Sequence, residues 1–128
     1  MDDAMAHKPP FANLLGIEIE HAGRGQARLR LPFRPELRNR RGARATIHGG
    51  AIASLIDTAA AVALFSEPIE HGATISMSIN YLSAGGERDL LASARVRRRG
   101  RTIASINVEV HDEADNLIAD AILTFRVA

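Results

Sequence analysis

Residues 51–65, AIASLIDTAAAVALF, constrain this chain more than any other stretch. The run is apolar on nearly every face at helical spacing, and Asp57 is its one ionisable group. A helix of that kind is a buried helix, so the rest of the chain has to wrap around it. His48-Gly49-Gly50 stands just upstream as a helix start, and Pro68 closes the far end. A carboxylate in such a setting is costly unless it is hydrogen-bonded or its pKa shifts. Chains keep one either for a structure-fixing hydrogen bond or for catalysis. The glycine pair favours catalysis, because bare backbone N–H groups at a helix start can hold developing negative charge. Together these residues point to hydrolysis at a carbonyl.

The flanking sequence supplies the wrapping. Ahead of the helix, Ile17-Glu18-Ile19-Glu20 alternates with the period of a strand. The turn Gly23-Arg24-Gly25 then leads into Ala27, Leu29 and Leu31, which predicts a hairpin. Pro32 and Pro35 stop it, and residues 34–46 read as an Arg-rich loop. After the helix come four strands. In the first, Ile75, Met77, Ile79 and Tyr81 alternate with Thr74, Ser76, Ser78 and Asn80. Residues 90–96 make the second, Ile106, Val108 and Val110 the third, and residues 117–127 the last. The turns between them, Ala84-Gly85-Gly86, Arg99-Gly100-Arg101 and residues 112–116, are tight, which implies antiparallel neighbours. The expected class is α+β: an antiparallel sheet wrapped around one central apolar helix. Its edge strands and Ala-rich helix invite pairing with a second copy.

With 128 residues the chain reads as one domain, 1–128, with residues 1–10 as a loose tail ending in Pro9-Pro10 and Phe11 to Leu15 as one short helical turn. The absence of Cys excludes disulfides, thiolate metal sites and cysteine nucleophiles, and fits the cytoplasm. The N-terminal MDDAMAHKPP has no apolar segment of the signal-peptide kind, and residues 51–65 are too short to span a membrane. The expectation is a soluble, cytoplasmic protein. Its net charge is only +1, yet Arg is concentrated in two clusters: Arg34, Arg38, Arg40, Arg41 and Arg44, then Arg95, Arg97, Arg98, Arg99 and Arg101. Arg forks suit phosphate groups. Near-neutral balance and few aromatic residues argue against nucleic acid, so a phosphorylated small molecule is the partner that fits, with solvated surface as the alternative.

His48-Gly49-Gly50 followed by Leu55-Ile56-Asp57, with the carboxylate nine positions after the His, resembles the hotdog-fold acyl-CoA thioesterases of the phenylacetate-pathway (PaaI-like) group. Pro10-Phe11-Ala12, Leu14-Leu15-Gly16, the stretch TISMSINYL at 74–82, Gly100-Arg101-Thr102 and Leu117-Ile118-Ala119 extend the likeness over nearly the whole chain. The resemblance implies a hotdog fold, hydrolysis of an acyl-CoA thioester without a metal or other cofactor, and a site shared across a homodimer, with two dimers joined as a homotetramer. Many relatives carry Asn six positions before the His and Gly three before it. This chain has Gly42 and Ala45 there.

Spacing adds an independent constraint. Gly49 and Asp57 are eight residues apart, roughly 12 Å along a helix, so one thioester carbonyl cannot touch both on the same helix. If they cooperate, Asp57 comes from a second subunit. Asp57 is then general base for water or direct nucleophile, against a structural hydrogen-bonded acid. Gly49 offers an N–H to the thioester oxygen, against a plain turn, while Gly50 serves the turn or close packing. His48 either hydrogen-bonds the backbone or orients the substrate. By resemblance Thr74 positions the attacking water, and Arg99, Gly100 and Arg101 form the turn that meets CoA phosphates. An ordinary strand residue and a solvated turn are the respective alternatives. The other His residues show no metal-ligand spacing with His48, and no serine elbow is present. Two further readings follow from the Gly42 and Ala45 departures and from the fold itself: a catalytically weak acyl-CoA-binding scaffold, and a hotdog hydratase or dehydratase.

Overall fold

The computed structural model describes residues 8–128. Residues 1–7 of the expected tail lie outside the described residues. Pro9 and Pro10, read as the end of that tail, instead open a helix: Pro9 is its N-cap and Pro10 the first residue of α1 (Pro10–Leu15). Proline is at home there, because the first-turn N–H groups have no intrahelical acceptor. Gly16, at φ +81°, ends α1 in the left-handed region.

Strands β1 (Glu18–Gly23) and β2 (Gln26–Leu31) form the expected hairpin, with a tighter turn than the sequence suggests. Arg24 and Gly25 alone make the turn, both with positive φ (54° and 74°). That geometry matches the twist of the flanking strands. The Gly25 N–H donates to Ser66 Oγ at 2.9 Å, which docks the hairpin on the far end of the long helix. The Arg-rich segment is held in place. A short 3-10 turn (Pro35–Leu37) begins it, Asn39 N–H donates to the Thr46 carbonyl at 2.8 Å, and Thr46 N–H returns to Asn39 Oδ1 at 3.0 Å.

Helix α2 (Gly49–Phe65) starts two residues before the apolar run, so both glycines are helical. It is followed by β3 (Ala73–Tyr81), β4 (Leu90–Arg99), β5 (Ile103–Asp112) and β6 (Leu117–Arg126). The six strands form one sheet in the order β1-β2-β4-β5-β6-β3, every neighbour antiparallel. The sheet curls round α2, as expected. Leu55, Ile56, Ala59, Ala60, Val62, Ala63 and Leu64 of the helix are fully buried against Leu29, Leu90, Ile106, Leu123 and Phe125 of the strands. The wrapping is incomplete, however. Gly50, Ala53, Ser54, Asp57, Ala61 and Phe65 recur every three or four residues on one side and stay partly exposed. The helix is apolar all round, but its own sheet leaves this stripe uncovered.

Asp112, at the end of β5, organises the β5–β6 turn. Its buried carboxylate accepts from Asn116 Nδ2 and from the N–H groups of Asn116 and Ala114, each at 2.9 Å, and faces Arg88 at 3.4 Å. The Asn116 side-chain bond, then its backbone N–H, hold the carboxyl down from the ordinary 3.8 to about 2. A depressed folded-state pKa gives stability that is full above the unfolded value and lost as pH falls through the folded one. Asp112→Asn should therefore lower stability at neutral pH and flatten its dependence between about pH 4 and pH 2. Urea unfolding across that range checks this; an unchanged pH slope in the variant would assign the acid sensitivity elsewhere.

Candidate active site

A helix start has four N–H groups without intrahelical acceptors, and in α2 three of them, those of His48, Gly50 and Ala51, are answered. His48, the N-cap, accepts from the Gly50 N–H through Nδ1 at 2.8 Å. Its carbonyl accepts from Ala51 N–H at 2.9 Å and Ile52 N–H at 3.2 Å. The Gly49 N–H has no acceptor among the described residues. It is the donor left over at the positive end of a 17-residue helix. The His48 side chain is thus engaged with the backbone, and an accepting Nδ1 leaves the ring proton on Nε2. His48 is itself fixed by its N–H, which donates to the Leu37 carbonyl at 2.7 Å.

Asp57 lies two turns further along, on the uncovered stripe. The expectation of a carboxylate buried by its own chain is corrected: the residue is only partly covered, because it sits on the flank the sheet leaves open. Its Oδ1 accepts from Thr74 Oγ1 at 2.7 Å, and Oδ2 has no partner among the described residues. Strict alternation along β3 would put Thr74 on the opposite face from Met77, Ile79 and Tyr81. A bulge between Thr74 and Ser76 changes that. Thr74 stands opposite buried Phe125 and Met77 opposite buried Leu123, so Thr74 joins the helix-facing side. Bulges re-aim side chains in this way.

The structure thus brings Asp57 and Thr74 together and keeps Gly49 apart, eight residues away on the same helix and so about 12 Å distant along it. Sequence reasoning missed Tyr81, whose hydroxyl donates to the Gly49 carbonyl at 2.9 Å and ties the helix start to β3. The signal was available: Tyr81 is the single Tyr of the chain and shares the helix-facing period of β3.

Of the basic segments, the first is partly structural. Arg34 donates to the Leu14 carbonyl at 2.6 Å, and Arg38 pairs with Glu87 at 2.7 Å and lies over the Phe33 ring. The Arg99-Gly100-Arg101 turn is exposed apart from Gly100, and Arg99 donates to the Pro68 carbonyl at 3.5 Å. Gly100 has a steric reason: a Cβ there would lie 2.9 Å from the Ile103 carbonyl oxygen. Register links this turn to the site. Thr74 stands opposite Phe125, Phe125 opposite Ala104, and Ala104 opposite Arg99. Arg99 and Thr74 therefore occupy one row across the sheet, three strand spacings or roughly 14 Å apart.

Residues 45–119 match the sequence profile of the thioesterase superfamily. The chain belongs to that superfamily. The matched segment runs from just before His48 through Asp57, Thr74 and the basic turn. Among relatives, the Halobacterium salinarum protein VNG_1336C is 36% identical over 84% of this chain and 74% of its own. The Escherichia coli medium/long-chain acyl-CoA thioesterase YigI is 29% identical over 92% of this chain and 85% of its own. Among solved structures, the E. coli PaaI protein of the phenylacetic acid degradation operon superposes with a TM-score of 0.87 at 25% identity, covering 98% of this chain and 88% of that one. The six-stranded antiparallel sheet around one long helix is the hotdog fold of this superfamily. No helix among the described residues is long and apolar enough to cross a membrane.

Proposed function

We propose that this thioesterase-superfamily chain hydrolyses acyl-CoA thioesters, RC(O)–S–CoA plus water giving the acid and CoA–SH. The observation that carries this is the pairing of one unanswered helix-start N–H, at Gly49, with a carboxylate on an open flank, Asp57, held by Thr74. Gly49 N–H donates to the thioester oxygen, where negative charge develops. Thr74 occupies Asp57 Oδ1 and leaves Oδ2 to take a proton from water as its oxygen attacks the acyl carbon. The carbon–sulfur bond then breaks, and the departing thiolate takes up that proton. The acyl-CoA thioesterase name of YigI supports the substrate class.

The two halves cannot meet within one chain, so the site is formed by Gly49 of one protomer and Asp57 with Thr74 of another. Two features support that pairing. Strand β3 is a sheet edge whose outer side has no strand beside it, and it leaves Ile75, Met77 and Tyr81 substantially exposed, with Leu82 just beyond it. Beside it runs the uncovered stripe of α2, built mainly of small residues that allow close approach. An unpaired apolar edge of this length normally pairs or is covered. Arg99 and Arg101, at the Thr74 end of the sheet, serve the CoA phosphates.

Thiol release across a panel of aryl-, short- and long-chain acyl-CoAs tests the activity. Loss of enoyl absorbance without thiol release would indicate a hydratase, and binding with neither a scaffold. Arg101→Ala should raise KM for acyl-CoA roughly 3- to 10-fold with little change in kcat, because a phosphate contact far from the acyl carbon is uniform binding. Acyl-pantetheine, lacking the nucleotide, should be indifferent to the substitution. Equal effects on both substrates would remove Arg101 from the CoA site.

A further inference from the structure

Glycine has the softest backbone of any residue, and Gly49 is followed by a second glycine at a partly exposed helix start. Sterics alone therefore do not aim the Gly49 N–H; the hydrogen bonds of the two flanking peptide groups do. The peptide before Gly49 is held from within the helix, through the His48 carbonyl and the N–H groups of Ala51 and Ile52. The peptide after it, joining Gly49 to Gly50, is gripped by two side chains. Its carbonyl accepts from the Tyr81 hydroxyl at 2.9 Å, and its N–H donates to His48 Nδ1 at 2.8 Å. The Tyr81 hydroxyl, this peptide and the His48 ring thus form one continuous hydrogen-bonded chain. Donation to the carbonyl draws electron density from the amide nitrogen through peptide resonance, so the Tyr81 bond strengthens the bond to His48.

The Tyr81 bond is the one of these that comes from the sheet; the others join residues 48 to 52. Tyr81 stands opposite buried Ala119, so its ring is on the helix side. It lies where a Gly49 side chain would point, 3.5 Å from the position of a Cβ. Near the other end of the same strand Thr74 donates to Asp57. Strand β3 is thereby pinned to α2 by a hydroxyl near each end, one beside the oxyanion donor and one on the carboxylate. Where a site takes Gly49 from one protomer and Asp57 from another, with β3 at their shared edge, these two bonds set donor against base. We infer that Tyr81 is a positioning residue: its hydroxyl fixes the 49–50 peptide, and with it the direction in which the Gly49 N–H meets the thioester oxygen. This rests on the hydrolase reading above. Tyr81 is more than half exposed, and a hydrogen bond in that setting adds little to stability, so its consequence lies in the aim of the N–H.

Tyr81→Phe deletes the hydroxyl and keeps the ring. It should lower kcat for acyl-CoA about 5- to 30-fold, less than loss of the N–H itself, and leave KM within about twofold, because the oxyanion contact strengthens in the transition state. Its Tm should stay within about 4 °C of wild type, with sedimentation mass unchanged. In proton–nitrogen correlation spectra the Gly50 amide proton should move upfield as its bond to His48 weakens. Because Tyr81 is the single Tyr of the chain, growth on fluorotyrosine labels this position alone, and the retained donor should keep kcat within about twofold of wild type. A folded Tyr81→Phe with kcat within about twofold of an active wild type, or with the Gly50 resonance unmoved, would overturn the inference. So would failure to fold or a change of mass, either of which makes Tyr81 a structural or interface residue. Wild type that releases no thiol from any acyl-CoA would instead end the hydrolase reading, and this inference with it.

Discussion

Asp57→Asn should give a protein that folds as the wild type does and hydrolyses acyl-CoA about 10²–10⁴-fold more slowly, the usual cost of removing a general base. The fold should survive because the substitution keeps volume, and the asparagine carbonyl can still accept from Thr74 Oγ1, now at 2.7 Å from Asp57 Oδ1. What it loses is the proton acceptor at Oδ2. The loss should fall on kcat, since the base acts in the transition state and adds little to ground-state binding. Turnover within a few-fold of wild type would make Asp57 a structural residue and end the proposed mechanism. A clear rise in thermal stability in the inactive variant would support it further, since functional carboxylates are often kept at a cost to the fold.

Restoration of activity on mixing two inactive variants is the second large effect expected. Gly49→Pro removes the N–H proposed to hold the thioester oxygen at a position that tolerates proline. Gly49 is the first residue of α2, where proline is favoured. His48 before it is already extended at φ −57°, ψ 133°, as a residue preceding proline must be. The nearest atoms to a new Cβ are those of Tyr81 at 3.5 Å, an ordinary contact. Gly49→Pro should therefore fold and be nearly inactive, losing about 10²–10³-fold for one oxyanion donor. Subunit exchange with Asp57→Asn should recover activity, because one of the two shared sites in a mixed dimer has both Gly49 and Asp57 intact. Folded variants that exchange subunits without recovery would refute a shared site, as would full activity in a proven monomer.

Much of this architecture could be read directly from residue order. An apolar 15-residue run with strands on both sides admits few solutions other than a sheet around a helix, and tight turns made the sheet antiparallel. The departures from expectation were local and had local causes. Pro9 and Pro10 belong to a helix start because proline suits the first turn. Arg24 accepts a positive φ, which shortened the hairpin turn by one residue. Asn39 holds Thr46 N–H and braces the loop before His48.

The candidate site divides along a similar line. The sequence by itself determined that a carboxylate and a glycine-rich helix start share one helix at a spacing too long for one chain to use both, since that follows from 1.5 Å of rise per residue. Three things were decided by tertiary structure alone. A bulge in β3 turned Thr74 toward Asp57 against the period of its strand. The curl of the sheet left the Asp57 flank open while burying the rest of the helix, and sheet register set Arg99 in the row of Thr74. The physical reason is that helical spacing is a property of consecutive residues. A bulge, an uncovered flank and a cross-strand row arise from pairing between segments far apart in the chain, where a shift of one residue exchanges the two faces of a strand.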